Sequence, residues 1–231
     1  DPYENNRVLS NICFIKESQR YPDNYRVKEV LELAPSLFQN WDAEYAASLV
    51  EEFRIPMKRR MKQLSRGQLS SVGIVVGLAS RAQLTIFDEP YLGLDAVARG
   101  IFYDRLIEDY MEHPRTVILS THLIDEVSKL LEHILLIKDG KLLVNEDAET
   151  LRGRAYTVVG PKSKLETFTN GKEVIHRQQV GSFVSCTVQG SIDAEDKRKA
   201  AELGLDIAPV SLQQFMVRLT GEDQNGRVAV Q

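Results

Sequence analysis

The sequence is short of several things, and each shortage rules something out. It has only two cysteines, Cys13 and Cys186, far apart and without partners at metal-ligand spacing. That excludes a disulfide framework or a paired-cysteine zinc site, and fits reduced, buried thiols in a cytosolic protein. No apolar stretch approaches the ~20 residues that span a bilayer. No signal peptide stands at the start. A basic excess is missing too: the net charge is −4, and the one basic cluster is "MKRRMK" at 57–62. So short a cluster reads as a solvated face, and no nucleic-acid partner is expected. Fixed-period repeats and low-complexity tracts are also absent.

What is present suffices for one good core, or one core and a small second domain: 231 residues, 43% of them hydrophobic. Residues 8–15, "VLSNICFI", read as a short buried strand. "RVKEVLELAPSLF" (26–38) has Val27, Val30, Leu31 and Leu33 at helical spacing. "DAEYAASLVEEF" (42–53) is a second amphipathic helix with Asp42 as its N-cap. "LSRGQLSSVGIVVGLAS" opens on a serine and a glycine and becomes apolar all round, the mark of a buried helix. Two strands apolar on both faces come next, "QLTIF" (83–87) and "RTVILST" (115–121), separated by the helix "AVARGIFYDRLIEDYMEH" that Pro114 closes. Such strands with helical crossovers predict an α/β fold with a mostly parallel sheet covered on both sides. "HLIDEVSKLLE" reads as the next helix, and "HILLIKDGKLLVNED" (133–147) as a hairpin whose Asp139-Gly140 suits a type I′ turn.

Near residue 151 the character changes. Strand, helix, two strands around Gly181, helix, strand and a last helix "SLQQFMVRLTG" predict a small α+β domain over 151–221. Its βαββαβ order suggests a ferredoxin-like arrangement. The polar tail, 222–231, is expected to be flexible.

The chemistry gathers in a few short runs. "LTIFDEP" ends an apolar strand in Asp88 and Glu89. In an open α/β sheet, ligands sit beyond the carboxyl ends of the strands. A carboxylate there can hold Mg²⁺, and a second can take a proton from an attacking water. Taken alone, the pair serves equally well as a helix cap. "LSRGQ" puts Ser65 and Gly67 at a helix start, where backbone N–H groups favour phosphate, or where a serine simply caps. His122 comes directly after the strand "TVILST", at the same edge as the acids, or is an ordinary core histidine.

In this order, "LSRGQ", "LTIFDEP", "LGLD" and "STH" resemble the motifs of the ATP-binding cassette family, the motor subunits of ABC transporters. The resemblance covers residues 1–150, with 27–80 as the helical subdomain. It implies a P-loop NTPase core that binds ATP and Mg²⁺ and hydrolyses ATP to drive transport. Asp88 is then the Mg²⁺ ligand and Glu89 the general base on water. His122 matches the switch histidine. Ser65, Arg66, Gly67 and Gln68 form the signature, with Arg66 where the family usually has glycine. Asp95 falls at the dimer seam. "ICFIKESQRYPDNYRVKEVLEL" resembles the Q-loop region, with Glu17 at the glutamine position as a second Mg²⁺ ligand and Gln19 as the alternative. The implied partners are a second ATP-binding subunit and a transmembrane permease, at the cytoplasmic face of a bacterial membrane.

One family element is missing. No G-x-x-x-x-G-K-[ST] occurs in the chain. That loop supplies the amides and the lysine that cradle phosphates. In the family it precedes the Q-loop, so it would precede Asp1. The expectation is a chain without its N-terminal part. A non-catalytic half-cassette, acting as a regulatory or binding module, is the alternative.

Overall fold

The computed structural model describes residues 3–17 and 19–220. The chain divides by compactness between His122 and Leu123. The sequence suggests a boundary at 150 instead. Each unit is described by itself.

The first unit runs α1 (Asn6–Leu9), β1 (Ile12–Ile15), α2 (Val27–Leu37), α3 (Ala43–Glu52), α4 (Arg66–Ala79), β2 (Leu84–Asp88), α5 (Ala96–Glu112) and β3 (Thr116–Ser120). Its sheet has the order β1-β2-β3, and both pairings are parallel. Asn5 accepts a bond from the Val8 N–H, and the chain turns helical there; the strand expected from Val8 therefore begins at Ile12. Asp42 caps α3 as anticipated, taking the Tyr45 N–H at 2.8 Å.

α4 is the centre of this unit. Every residue from Ser71 to Ala79 is buried. It lies on the sheet face formed by Cys13, Ile15, Thr85 and Phe87, each at most 4% exposed. The approach is close enough that a Cβ on Gly77 would sit 2.4 Å from the Phe87 ring. Phe102 of α5 meets the same ring edge-on, with centroids 5.3 Å apart. The opposite face carries Phe14, Ile86 and Ile118 side by side in register. Phe14 is 52% exposed and Ile118 46%. The sequence predicted cover on both faces, and these residues provide it on one.

The second unit runs α6 (Ile124–Val127), β4 (His133–Lys138), β5 (Lys141–Asp147), α7 (Ala148–Leu151), β6 (Ala155–Gly160), α8 (Lys162–Thr169), β7 (Val174–Val180), β8 (Phe183–Gln189), α9 (Ala194–Leu203), β9 (Asp206–Pro209) and α10 (Leu212–Thr220). β4 and β5 form the hairpin, and Asp139 and Gly140 both have positive φ, as a type I′ turn requires. The larger sheet has the order β7-β8-β6-β9, all antiparallel. With βαββαβ connectivity, that is the split βαβ, ferredoxin-like topology. One core joins Tyr156, Val158 and Cys186 to Leu165, Phe168 and Ala200 of α8 and α9. A second joins Ala155 and Leu151 to the hairpin's Val144 and to Leu212, Phe215 and Met216 of α10. This second core explains why the hairpin belongs with the C-terminal elements.

The helix expected over "HLIDEVSKLLE" shrinks to Ile124–Val127. Asp125 is spent on the start of α10, accepting from Ser211 Oγ at 3.0 Å and the Gln213 N–H at 3.2 Å. The expected flexible tail lies outside the described residues. Among the described residues, no helix is long and apolar enough to cross a membrane.

Candidate functional site

β2 and β3 run parallel with Asp88 opposite Ser120, so both strands end at one edge. The Ser120 hydroxyl donates to Asp88 Oδ1 at 2.5 Å. Glu89 comes next at φ 47°, in the left-handed region that costs a side-chain-bearing residue strain. There it meets the segment after β3. His122 Nδ1 lies 2.9 Å from Glu89 Oε1, and the Tyr91 hydroxyl donates to Glu89 Oε2. The Glu89 side chain is 21% exposed and that of His122 64%, so the pair sits at the surface with the carboxylate inward.

Tyr91 is 2% exposed. Burial, and then the bond to Glu89, push its hydroxyl up to about 12. Sequence reasoning misses this residue. Two of its partners, Thr121 and His122, are some thirty positions away in the chain, and "DEPY" alone gives no signal of them.

A second cluster forms at the start of α4. Ser65 and Gln68 make a capping box: the Gln68 N–H donates to Ser65 Oγ at 3.2 Å, and the Ser65 N–H to Gln68 Oε1 at 3.1 Å. A Cβ on Gly67 would lie 2.4 Å from the Gly93 carbonyl, and Gly93 itself has φ 88°. Ser70 Oγ donates to the Leu92 carbonyl at 2.7 Å. Gly67 is thus required by the "LGLD" segment, whatever ligand the turn takes. Asp95 is the N-cap of α5, accepting from the Ala98 N–H at 2.8 Å.

Glu17 and Arg66, the two departures from the family pattern, pair with each other: Arg66 Nη2 stands 2.5 Å from Glu17 Oε1. The expected metal role for Glu17 and nucleotide role for Arg66 therefore meet a carboxylate and a guanidinium already engaged. Opposite charges at two departing positions were the available signal. Glu17, Arg66 and Glu89 also line one cavity of about 300 Å³, together with Gln19.

Among the described residues, no group of three or more His, Cys, Asp or Glu is placed to hold a metal. Mg²⁺ is ordinarily held by one or two carboxylates plus substrate phosphates and waters. Asp88, an oxygen donor beside the Ser120 hydroxyl at the sheet edge, fits that role.

A parallel sheet with a buried crossover helix and an acid pair at its carboxyl edge is an α/β arrangement also found in solved ATP-binding cassettes. The dimeric structure of MJ0796, a bacterial ABC transporter cassette, has this fold: TM-score 0.54 at 22% identity, covering 62% of this chain and 65% of that one. Among curated proteins, the ABC transporter ATP-binding protein YtrB of Bacillus subtilis is 23% identical over 219 residues, 93% of this chain and 75% of its own length. The uncharacterized ABC transporter ATP-binding protein MJ1023 of Methanocaldococcus jannaschii is 34% identical over 171 residues, 71% of this chain. The chain spans 62% of that relative's length. No family model matches the chain. The chain is a homologue of ABC transporter ATP-binding proteins.

Proposed function

We propose that these residues carry the hydrolytic edge and the signature turn of an ABC transporter's ATP-hydrolysing subunit. The carrying observation is the meeting of Glu89 and His122 at the ends of adjacent parallel strands, beside Asp88. Phosphoryl transfer rests on positioning and charge neutralisation more than on covalent chemistry. Glu89 orients a water and takes its proton. His122 senses the terminal phosphate. Asp88 holds Mg²⁺, which when bound neutralises phosphate charge. Ser65, Gly67 and Gln68 present the α4 turn, and Asp95 the seam, to the nucleotide of a second ATP-binding subunit. A transmembrane permease at the cytoplasmic face of a bacterial membrane is the device driven. The likeness to YtrB and to the dimeric cassette supports the transporter and the pairing.

The phosphate-cradling loop comes from sequence outside these 231 residues. Two observations support this. The match to YtrB leaves a quarter of that relative's length unmatched. The apolar sheet face also leaves Phe14 and Ile118 about half exposed, and parallel sheets are ordinarily covered on both faces.

The test uses the protein at its native length. Equilibrium ATP binding and Mg²⁺-dependent phosphate release are both expected. A native-length protein that binds no ATP contradicts the reading and leaves a non-catalytic module.

A further inference from the structure

We propose that Tyr91 is a positioning residue of this site, whose phenol holds the Glu89 carboxylate and His122 as one unit. The inference rests on the proposed ATPase function for what that unit does, and on geometry alone for its existence. A phenol as buried as Tyr91 ordinarily has hydrogen-bond partners. Here it finds Glu89, Thr121 and His122 at the joint between two strands, the last through its backbone N–H and, at 3.3 Å, its ring Nδ1. An ionised carboxylate only accepts, so the single phenolic proton goes to Glu89 Oε2. For the same reason, the ring proton of His122 is on Nδ1, facing Glu89 Oε1. The phenol oxygen then accepts. The His122 backbone N–H donates to it at 3.2 Å, and Thr121 Oγ1, 2.8 Å away, is left as the second donor.

The consequence is mechanical. Glu89 sits at a strained φ, and strain of that kind persists only where surrounding contacts over-determine it. The phenol supplies one such contact and fixes the other end to the backbone of His122. A phenol is protonated at neutral pH in any case, and the upward shift of this one widens that margin. A purely structural tyrosine would need its ring, which packs 5.9 Å from that of His122, but not its proton.

The test needs no nucleotide, so it is independent of the ATPase reading. Nitrogen-15 spectra of this chain, above the ordinary imidazole range at about pH 8, report the His122 tautomer. The Nδ1–H form is expected to predominate in the unaltered chain, with a slowly exchanging Tyr91 hydroxyl proton close to the His122 amide. Tyr91→Phe keeps the ring and loses the proton. It is expected to lower the Nδ1–H fraction at least twofold, while amide signals remote from residues 88–93 and 120–123 stay in place. Thr121→Val, which leaves the phenol–Glu89 bond intact, is expected to keep the tautomer. An unchanged tautomer in folded Tyr91→Phe overturns the proposal. So does an unaltered chain whose His122 is mainly Nε2–H or whose Tyr91 proton exchanges freely, and this second criterion stands even if the variant does not fold.

Discussion

In the antiparallel sheet β7-β8-β6-β9, helices cover both faces. α8 and α9 bury Tyr156, Val158 and Cys186 on one side, and α10 packs beside Ala155 and Leu151 on the other. In the parallel sheet β1-β2-β3, α4 and α5 cover the face of Ile15 and Phe87. The other face presents Phe14 and Ile118 at about half exposure. The contrast separates two jobs. The second unit spends its polar side chains on holding itself together, as Asp125 does at α10. The first keeps its acids at a sheet edge, where a strained glutamate turns inward beneath an exposed histidine. Where the fold gathers these groups, it ties the acids to one another's neighbours at the edge and leaves one sheet face half exposed.

The contrast is open to direct attack by truncating matched phenylalanines. Phe168→Ala, at a fully buried position, is expected to cost the second unit about 3–5 kcal/mol in urea unfolding. Phe14→Ala should fall within about 0.5 kcal/mol in the same chain, as an exposed position does. A large loss from Phe14→Ala would mean that this face is already covered.

Gly77→Ala probes the finished side of the parallel sheet. The added methyl would stand 2.4 Å from the Phe87 ring, and overpacking of this kind typically costs ~1–3 kcal/mol. The thermal midpoint should fall accordingly; an unchanged midpoint would show that α4 does not rest closely on β2. Smaller again is Asp42→Ala, which removes the cap of α3 for about 1 kcal/mol by the same measurement.

The smallest effect belongs to the hairpin. His133 lies between Asn145 and Asp147, and these two bonds, in that order, raise its pKa above the ordinary imidazole value. Charged His133 is therefore favoured in the folded state. Its contribution is complete below the unfolded pKa and is lost as pH rises through the higher folded one. At an exposed site it should appear as a slight loosening of the hairpin amides in hydrogen exchange with rising pH. His133→Gln should abolish that dependence.

Much of the fold was legible in the sequence because local physics decided it. β2 and β3 are apolar runs too short for helices, Asp42 precedes an amphipathic period, and Asp139-Gly140 admits one kind of turn. The Glu89–His122 meeting came from two parallel strands ending together. What stayed illegible was decided by distant partners. Asp125 serves the start of α10, 88 positions on. Arg66 turned to Glu17 across the fold. Tyr91 found Thr121 and His122 only once β2 and β3 were side by side.

The most direct measurement is phosphate release by the native-length protein with Glu89→Gln, beside its ATP affinity. The amide keeps the shape and loses the base. ATP binding should persist while turnover falls by about two to four orders of magnitude, the worth of a general base. Turnover close to that of the unaltered protein would contradict the assignment of Glu89, and with it the reading of this sheet edge as the hydrolytic site.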